Sequence, residues 1–577
     1  MAGPIDPNKC REAIYSEQVA DYILGFTLDI ERFRPIRPQY DIVCSQDIMG
    51  QFSIVYQNVT GSMSNVITPS LISDFYQNIP KLYGLMDTSN LEDMGVYKLR
   101  RLPYLDLYGS RTLIGIIDTG IDYTNPLFIN ADGTSRIAAV WDQTIQTGPT
   151  PDGVYYGTEY NKADFDRALK ADNPRSVVPT EDEDGHGTFV AAIAGGNIDD
   201  KNEFSGVAPQ AEFVVVKLKP AKKYLRDFFG IEEDAVAFQE NDIMLGVQYL
   251  RMKAIELNHP ISICIGLGTN SGAHEGASYF SSYLDFISIQ PGLCICTAAG
   301  NEGNAGHHYS GSLESGANED VELKVSEKQK NLVLEIWSKT PTLFSIALIS
   351  PSGEIQERIP AKQGLNASLS FTLEPTVIRV TYSTTNLVTG NEMVLIQFRD
   401  LVPGIWRIRV YNDSTIGANY DMWIPISVFV DDATYFLRPD PYITLVETGT
   451  TVRPISTATY DHKGNSIYIS SSRGYTLSGQ VKPEITAPGV NVYGPVSKTA
   501  FGEKSGSSIA AAHAAGVAAL FLQWGIVEKK LQTMNTIEIK SLYIRGAVRG
   551  SREYPNKEWG YGILNAFNAF ESERKKV

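Results

Sequence analysis

The sequence predicts an α/β core built on a parallel sheet, interrupted by an inserted all-β domain and preceded by a small α+β segment. Three observations lead to this. From Ile114 onward, short continuous apolar runs alternate with helical patterns, which is how a parallel sheet covered on both faces is written. Between residues 317 and 436 the text changes to period-two runs punctuated by Gly, Pro, Asn and Ser, as in a sandwich or jelly roll. From residue 442 the α/β text resumes, so the β segment interrupts one domain rather than separating two.

In chain order, residues 1–88 form a separate module with a strand at 52–57 and a helix at 69–83 after a Ser- and Asn-rich turn. The first core part, 89–316, carries strands at 113–117, 213–218, 261–266 and 293–298, each nearly continuous in apolar residues. Between them lie helices at 189–194, closed by Gly195 and Gly196, and at 241–255, where Ile243, Val247, Leu250 and Ala254 recur at helical spacing. The insert, 317–436, reads as strands at 321–325, 332–337, 344–349, 377–382, 406–411 and 423–430. The second core part, 437–577, holds an Ala-rich helix at 509–524 and a last helix from 565.

With 577 residues, 43% of them hydrophobic, each of these domains is large enough to bury its own core. A net charge of −16 gives no electrostatic footprint for phosphate backbones, so nucleic acid is not an expected partner. Cys10, Cys44, Cys264, Cys294 and Cys296 are an odd, sparse set, three of them inside apolar runs, and read as reduced core thiols. The start lacks the charged and apolar regions of a secretory signal, and the chain lacks a run of about 18 apolar residues. No transmembrane segment and an intracellular location are therefore expected.

Three segments combine a reactive side chain with glycine and the end of a regular element. In the first, a buried strand delivers Asp118 at its C-terminal edge, where open α/β sheets place ligands. In the second, His186 stands between Gly185 and Gly187 at the start of a helix, and imidazole is the side chain able to take and return a proton near neutral pH. In the third, Ser505, Ser507 and Ser508 precede a helix whose side chains are small on every face and which is therefore buried. A hydroxyl at such a helix start sits in a positive field beside a free N–H able to bind an oxyanion. His259, His274, His307, His308 and His462 read as structural hydrogen-bonding residues, and the His307-His308 pair is too local for a metal site.

These segments, far apart in the text and in the order Asp118-Thr-Gly, His186-Gly-Thr and Gly506-Ser-Ser508-Ile-Ala, resemble the subtilisin-family (subtilase) serine peptidases. The segments at 205–209, 266–269, 298–303, 472–474, 482–489 and 560–564 extend the resemblance over most of residues 98–570. It implies a subtilisin-like parallel-sheet fold in which Ser508 attacks the peptide carbonyl, His186 relays the proton and Asp118 orients the ring. It also implies an oxyanion hole from the Asn301 side chain and the Ser508 N–H. The first side-chain pocket is then walled by Gly266, Leu267 and Gly268 on one side and by Ala298, Ala299 and Gly300 on the other. Glu302 is expected to add negative charge beside that pocket and favour a basic or polar residue. Residues 221–240 fall at the cleft rim, as a solvated loop or a shaping one. No cofactor or metal is expected, because the acidic stretches 181–184 and 199–200 read as solvated loops before calcium sites. Two positions depart from the family pattern: Ser507 where Thr is usual, and Ala512 where Pro usually precedes His513.

The β insertion, the start without a secretion signal and the run Ala510-Ala511-Ala512-His513 resemble the Csp germination proteases of clostridial spores. That resemblance implies a jelly-roll insert and a prodomain at 1–88 that acts as folding chaperone and bound inhibitor. Under it residues 80–89 are expected to thread the cleft and Ser508 to cut between Leu82 and Ser89, a permanent uncut cap being the alternative. The substrate implied by the resemblance is the pro-form of a cortex-degrading hydrolase, activated by limited proteolysis in a spore-associated setting. The group also contains members with broken triads, so a sensor or scaffold is one alternative and a general intracellular maturation peptidase another. The presence of Asp118, His186 and Ser508 together favours the enzyme.

Overall fold

The computed structural model describes residues 16, 19–25, 41–48, 52–58, 89–102, 105–152, 154, 156–221, 223–238, 240–386 and 389–574, and the chain divides into units at 1–85 and 86–577. In the first unit, strand Phe52–Asn58 lies between Val19–Gly25 and Asp41–Ile48, antiparallel to both. Val55 pairs with Tyr22 on one side and Ser45 on the other, and its side chain is buried. The strand expected at 52–57 is therefore present; the helix expected at 69–83 lies outside the described residues.

The second unit is organised by a nine-stranded sheet in which Leu113–Asp118 runs parallel to Glu212–Lys217 and to Ile261–Ile265. Leu293–Ala298, Ile455–Asp461 and Ile485–Pro488 continue the parallel order on one side, and Ile137–Asp142 on the other. Antiparallel pieces, Thr158–Asn161 and Ser466–Ile467, close its two edges. Successive side chains of a strand point to opposite faces. Ile114 and Ile116 accordingly pack with helices His186–Gly195 and Ser507–Leu522, while Leu113 and Ile117 pack with Glu240–Glu256 and Tyr279–Ile287. Asp118 shares the parity of Ile116, so the same alternation aims its carboxylate at the face holding the other two helix starts.

Helix Ser507–Leu522 is buried along its whole length, which its alanines permit because every face meets protein. Counted with its π-helical extension to Val527, it is the one helix among the described residues long and apolar enough to cross a membrane, and it is 89% buried inside the protein. Cys264, Cys294 and Cys296 are free and buried, as their apolar runs require. Before the first core strand, short helices Ser89–Asp93 and Val96–Arg100 lie outside the sequence-based assignment. Arg100 fixes them by donating to the carbonyls of Gly206 (2.7 Å) and Val207 (2.8 Å).

The insertion is a sandwich of two antiparallel sheets. One contains His308–Leu313, Ala418–Trp423, Leu332–Ser338, Glu392–Arg399, Val377–Ser383 and Asn366–Ser370 in spatial order. The other contains Phe344–Ile349, Gly404–Asn412, Asn318–Val325 and Tyr435–Phe436. Both sheets bury alternate residues in one core around Trp406, Ile336, Phe398 and Ile408. Two details differ from the sequence reading. The sandwich begins at His308 rather than at 317, because His308–Leu313 pairs with Ala418–Trp423. The strand read at 423–430 instead ends at Trp423, since Pro425 offers no N–H to a ladder and a turn closes with the Phe429 N–H on the Ile426 carbonyl.

Residues 221–240 hold the short helix Lys223–Phe229 and, although many of their side chains are exposed, are anchored to the rest of the fold. Arg226 is buried there and donates to the carbonyls of Ala221, Glu232 and Ala235, while Gln397 and Arg399 of the sandwich donate to the Phe228 carbonyl. The segment thus packs the core against the insert.

Candidate active site

Asp118 ends its strand, His186 opens one helix and Ser508 lies in the first turn of another, and the fold brings the three together. His186 Nδ1 lies 2.7 Å from Asp118 Oδ1, and His186 Nε2 lies 2.9 Å from Ser508 Oγ. An ionised carboxylate only accepts, which sets Nδ1 as the donor and leaves Nε2 to accept from the Ser508 hydroxyl. The Asp118 carboxylate is 1% exposed, and the Thr119 N–H also donates to its Oδ1 (2.8 Å). Its charge raises the His186 pKa above the ordinary 6.5 against the opposing effect of burial; a hydrogen bond from the ring and the charge of Asp184 add to the rise, and Lys504 opposes it. Of the three serines it is Ser508 whose hydroxyl meets His186 Nε2, whereas the Ser505 hydroxyl pairs with Asn491; the Ser507 N–H donates to Asn301.

That last contact orients the Asn301 amide. Its Oδ1 accepts from the Ser507 N–H at 3.0 Å, so Nδ2 turns the other way, and Nδ2 and Ser508 Oγ border the same open face of Gly506. A carbonyl oxygen placed there meets Asn301 Nδ2 and the Ser508 N–H, which belongs to the helical turn whose N–H groups have no acceptor within the helix. Asn301→Ala is expected to lower kcat about 10²- to 10³-fold with KM little changed, as steady-state hydrolysis of a peptide amide will measure.

Gly266 explains its own identity: a Cβ there would stand 2.8 Å from Ser508 Cβ and 3.7 Å from His186 Cε1. Residues 266–268 follow strand Ile261–Ile265 and residues 298–300 close its parallel neighbour Leu293–Ala298; of these wall residues Gly266 stands against Ser508, while Gly268 and Gly300 both stand against Val446. Glu302 Oε1 accepts from the N–H and hydroxyl of Ser427 (both 2.9 Å), and its Oε2 lies 2.6 Å from His307 Nδ1. The carboxylate is consumed in tying the oxyanion loop to the β insert, which removes the basis for expecting a basic residue in the pocket.

Two contributors were missed. Asp182 accepts from the Thr119 hydroxyl (2.7 Å), the Gly185 N–H (2.9 Å) and both the N–H and hydroxyl of Thr188 (2.8 and 2.7 Å). It therefore joins the loop after Asp118 to the turn before His186 and acts as a positioning residue. Its place in an acidic run concealed it, and its neighbours Glu183 and Glu181 pair with Lys217 and Arg175. Ser472 is the other: its Oγ accepts from the Glu302 N–H and its own N–H donates to the Gly300 carbonyl, both at 3.0 Å, which holds the loop carrying Asn301.

Residues 109–562 match the subtilase family. The chain is 28% identical over 256 residues to the subtilisin-like protease SBT1.9 of Arabidopsis thaliana, spanning 41% of this chain and 30% of that protein. It is 20% identical over 458 residues to the C5a peptidase of Streptococcus pyogenes, spanning 74% of this chain and 35% of that one. The chain thus spans about a third of the length of these curated relatives. Among solved structures, the CspB protease of Clostridium perfringens superposes with a TM-score of 0.75 at 28% identity, covering 84% of this chain and 98% of that one.

Proposed function

The chain belongs to the subtilase family of serine peptidases, and we propose that it is an endopeptidase of limited proteolysis that first processes its own N-terminal segment and then activates a zymogen. The observation that carries the chemistry is the continuous contact from Asp118 Oδ1 through His186 to Ser508 Oγ, 2.7 and 2.9 Å. Ser508 Oγ attacks the carbonyl carbon while Nε2 takes its proton, and the oxygen becomes an anion facing Asn301 Nδ2 and the Ser508 N–H. The imidazolium, held by Asp118, returns the proton to the departing amine, and water repeats the cycle on the acyl-enzyme.

The biological assignment is drawn from the likeness to CspB. That likeness covers 84% of this chain and 98% of the other, and we read the inserted sandwich as a jelly roll. Under this reading residues 1–88 are a prodomain, cleavage falls between Leu82 and Ser89, and the substrate is the pro-form of a spore cortex-degrading hydrolase, met inside the spore-forming cell.

The test is labelling of purified protein by a serine-directed fluorophosphonate, with Ser508→Ala as control, together with N-terminal sequencing. Label on Ser508 and a new start between Tyr83 and Ser89 are expected. Absence of label in protein freed of its first 88 residues would favour a scaffold. A start still at Met1 or Ala2 in an active preparation would remove the self-processing.

A further inference from the structure

The stereochemistry of the site dictates where a substrate side chain goes. Of the three groups on the scissile carbonyl carbon, the oxygen faces Asn301 and the Ser508 N–H, and the leaving nitrogen must face His186 Nε2 to receive its proton. The third, the acyl-side Cα with its side chain, is left pointing between the strand exits 266–268 and 298–300.

That slot is closed by Val446. A Cβ on Gly268 would fall 2.4 Å from Val446 Cγ2, and one on Gly300 would fall 2.7 Å from Val446 Cγ1, so the two methyl groups touch one wall each. Nor can the residue swing aside, because the chain around it is tied to both walls. The Val446 N–H donates to the Ala299 carbonyl (3.0 Å) and the Glu447 N–H to the Thr269 carbonyl (2.8 Å). The Thr448 hydroxyl donates to the Leu267 carbonyl (2.8 Å), and His274 Nδ1 lies 2.8 Å from the Leu445 carbonyl. His274 is itself stacked on Trp423 of the sandwich, ring centres 4.0 Å apart. Val446 is 4% exposed, its methyl groups packed between Gly268 and Gly300.

We propose that Val446 makes the acyl-side pocket shallow and restricts the residue before the scissile bond to small side chains, Gly, Ala, Ser or Thr. The inference rests on the peptidase reading above and deepens it by naming the substrate class. Burial of a large ring would require the pinned floor to give way, and a close-packed wall does not do so cheaply. In the segment 82–88 the small side chains are Gly84 and Thr88, so self-processing is expected to start the mature chain at Leu85 or Ser89.

The experiment compares labelling rates of peptidyl diphenyl phosphonates that differ only in the reactive residue, Ala or Phe, on the full chain freed of any bound N-terminal fragment. The Ala probe should react about 100-fold faster than the Phe probe. In Val446→Gly the Phe rate should rise about 10- to 200-fold relative to Ala, with Val446→Ala intermediate. Equal or faster labelling of wild type by the Phe probe would overturn the proposal, as would a ratio unmoved in both variants. A fluorophosphonate without a side chain, applied in parallel, separates the two failures: label from it together with a Phe preference refutes only the shallow pocket, whereas no label from any probe refutes the peptidase reading and the proposal together.

Discussion

Ser508→Ala is expected to lower kcat by about 10⁶, with His186→Ala costing about as much and the double variant no more than either. The nucleophile is useless without a base to take its proton, and the base has nothing to act on without the nucleophile, so the two losses coincide instead of multiplying. The geometry behind this is the single hydrogen bond between Ser508 Oγ and His186 Nε2. The check is hydrolysis of a peptide amide by the single and double variants. Losses that multiply would show that the contact is not the reacting one. Thermal midpoints should stay close to wild type for Ser508→Ala, since alanine is well tolerated in a helix already rich in it. The neutral ring is the working base, and Asp118 holds its pKa above 6.5, so activity is lost on acidification through a folded value on the neutral side of that figure.

Glu484→Ala should destabilise the fold by about 3 to 5 kcal/mol. Glu484 is buried between two amines: Lys482 Nζ lies 2.6 Å from its Oε1, and Lys540 Nζ lies 2.5 Å from the same oxygen. Its Oε2 accepts from the Ser456 N–H (2.9 Å), which fastens strand Ile455–Asp461 to the segment before Ile485–Pro488. Removing the carboxylate leaves the Lys482 ammonium, 1% exposed, with the Pro454 carbonyl at 2.9 Å as its hydrogen-bond acceptor among the described residues. Burial already lowers the Lys482 pKa from 10.5 to about 7, despite the opposing pull of Glu484. A lysine depressed in the folded state costs stability where it is charged, so the loss in Glu484→Ala should be greatest below pH 7 and smaller at alkaline pH. Denaturant titration of wild type and variant at pH 6 and pH 9 measures this. A loss independent of pH would show that the uncompensated ammonium is not its cause.

How much was legible depended on whether the signal was local. Strands such as Leu113–Asp118 and Leu293–Ala298 are buried on both faces, and that burial writes itself as an unbroken apolar run. Asp118, His186 and the serines at 505–508 stand out because each sits beside glycine or small residues at an element's end, where chemistry needs close approach, whereas Asn301 and the choice of Ser508 rest on the resemblance to the subtilases. Asp182 and Ser472 escaped because an acceptor serving four donors, or a hydroxyl holding a loop, looks in sequence like any polar residue in a turn. Glu302 was misassigned for the converse reason: its neighbour Asn301 belongs to the site, yet a side chain one position along the chain points elsewhere. The strand Glu392–Arg399 lacks a clean sequence signal because Glu392 and Gln397 interrupt its apolar residues, although both are buried and hydrogen-bonded in place.

By itself the sequence determined the parallel-sheet core, the intrusion of a β domain into it and the identity of the reacting groups, because periodicity and the chemistry of single side chains are properties of short stretches of chain. Only the tertiary structure decided that Val446 fills the slot between Gly268 and Gly300, and that Glu302 faces Ser427 and His307. Both depend on distances between segments more than a hundred residues apart, or on which way a carboxylate turns, and pocket depth and orientation of this kind arise from packing across the fold.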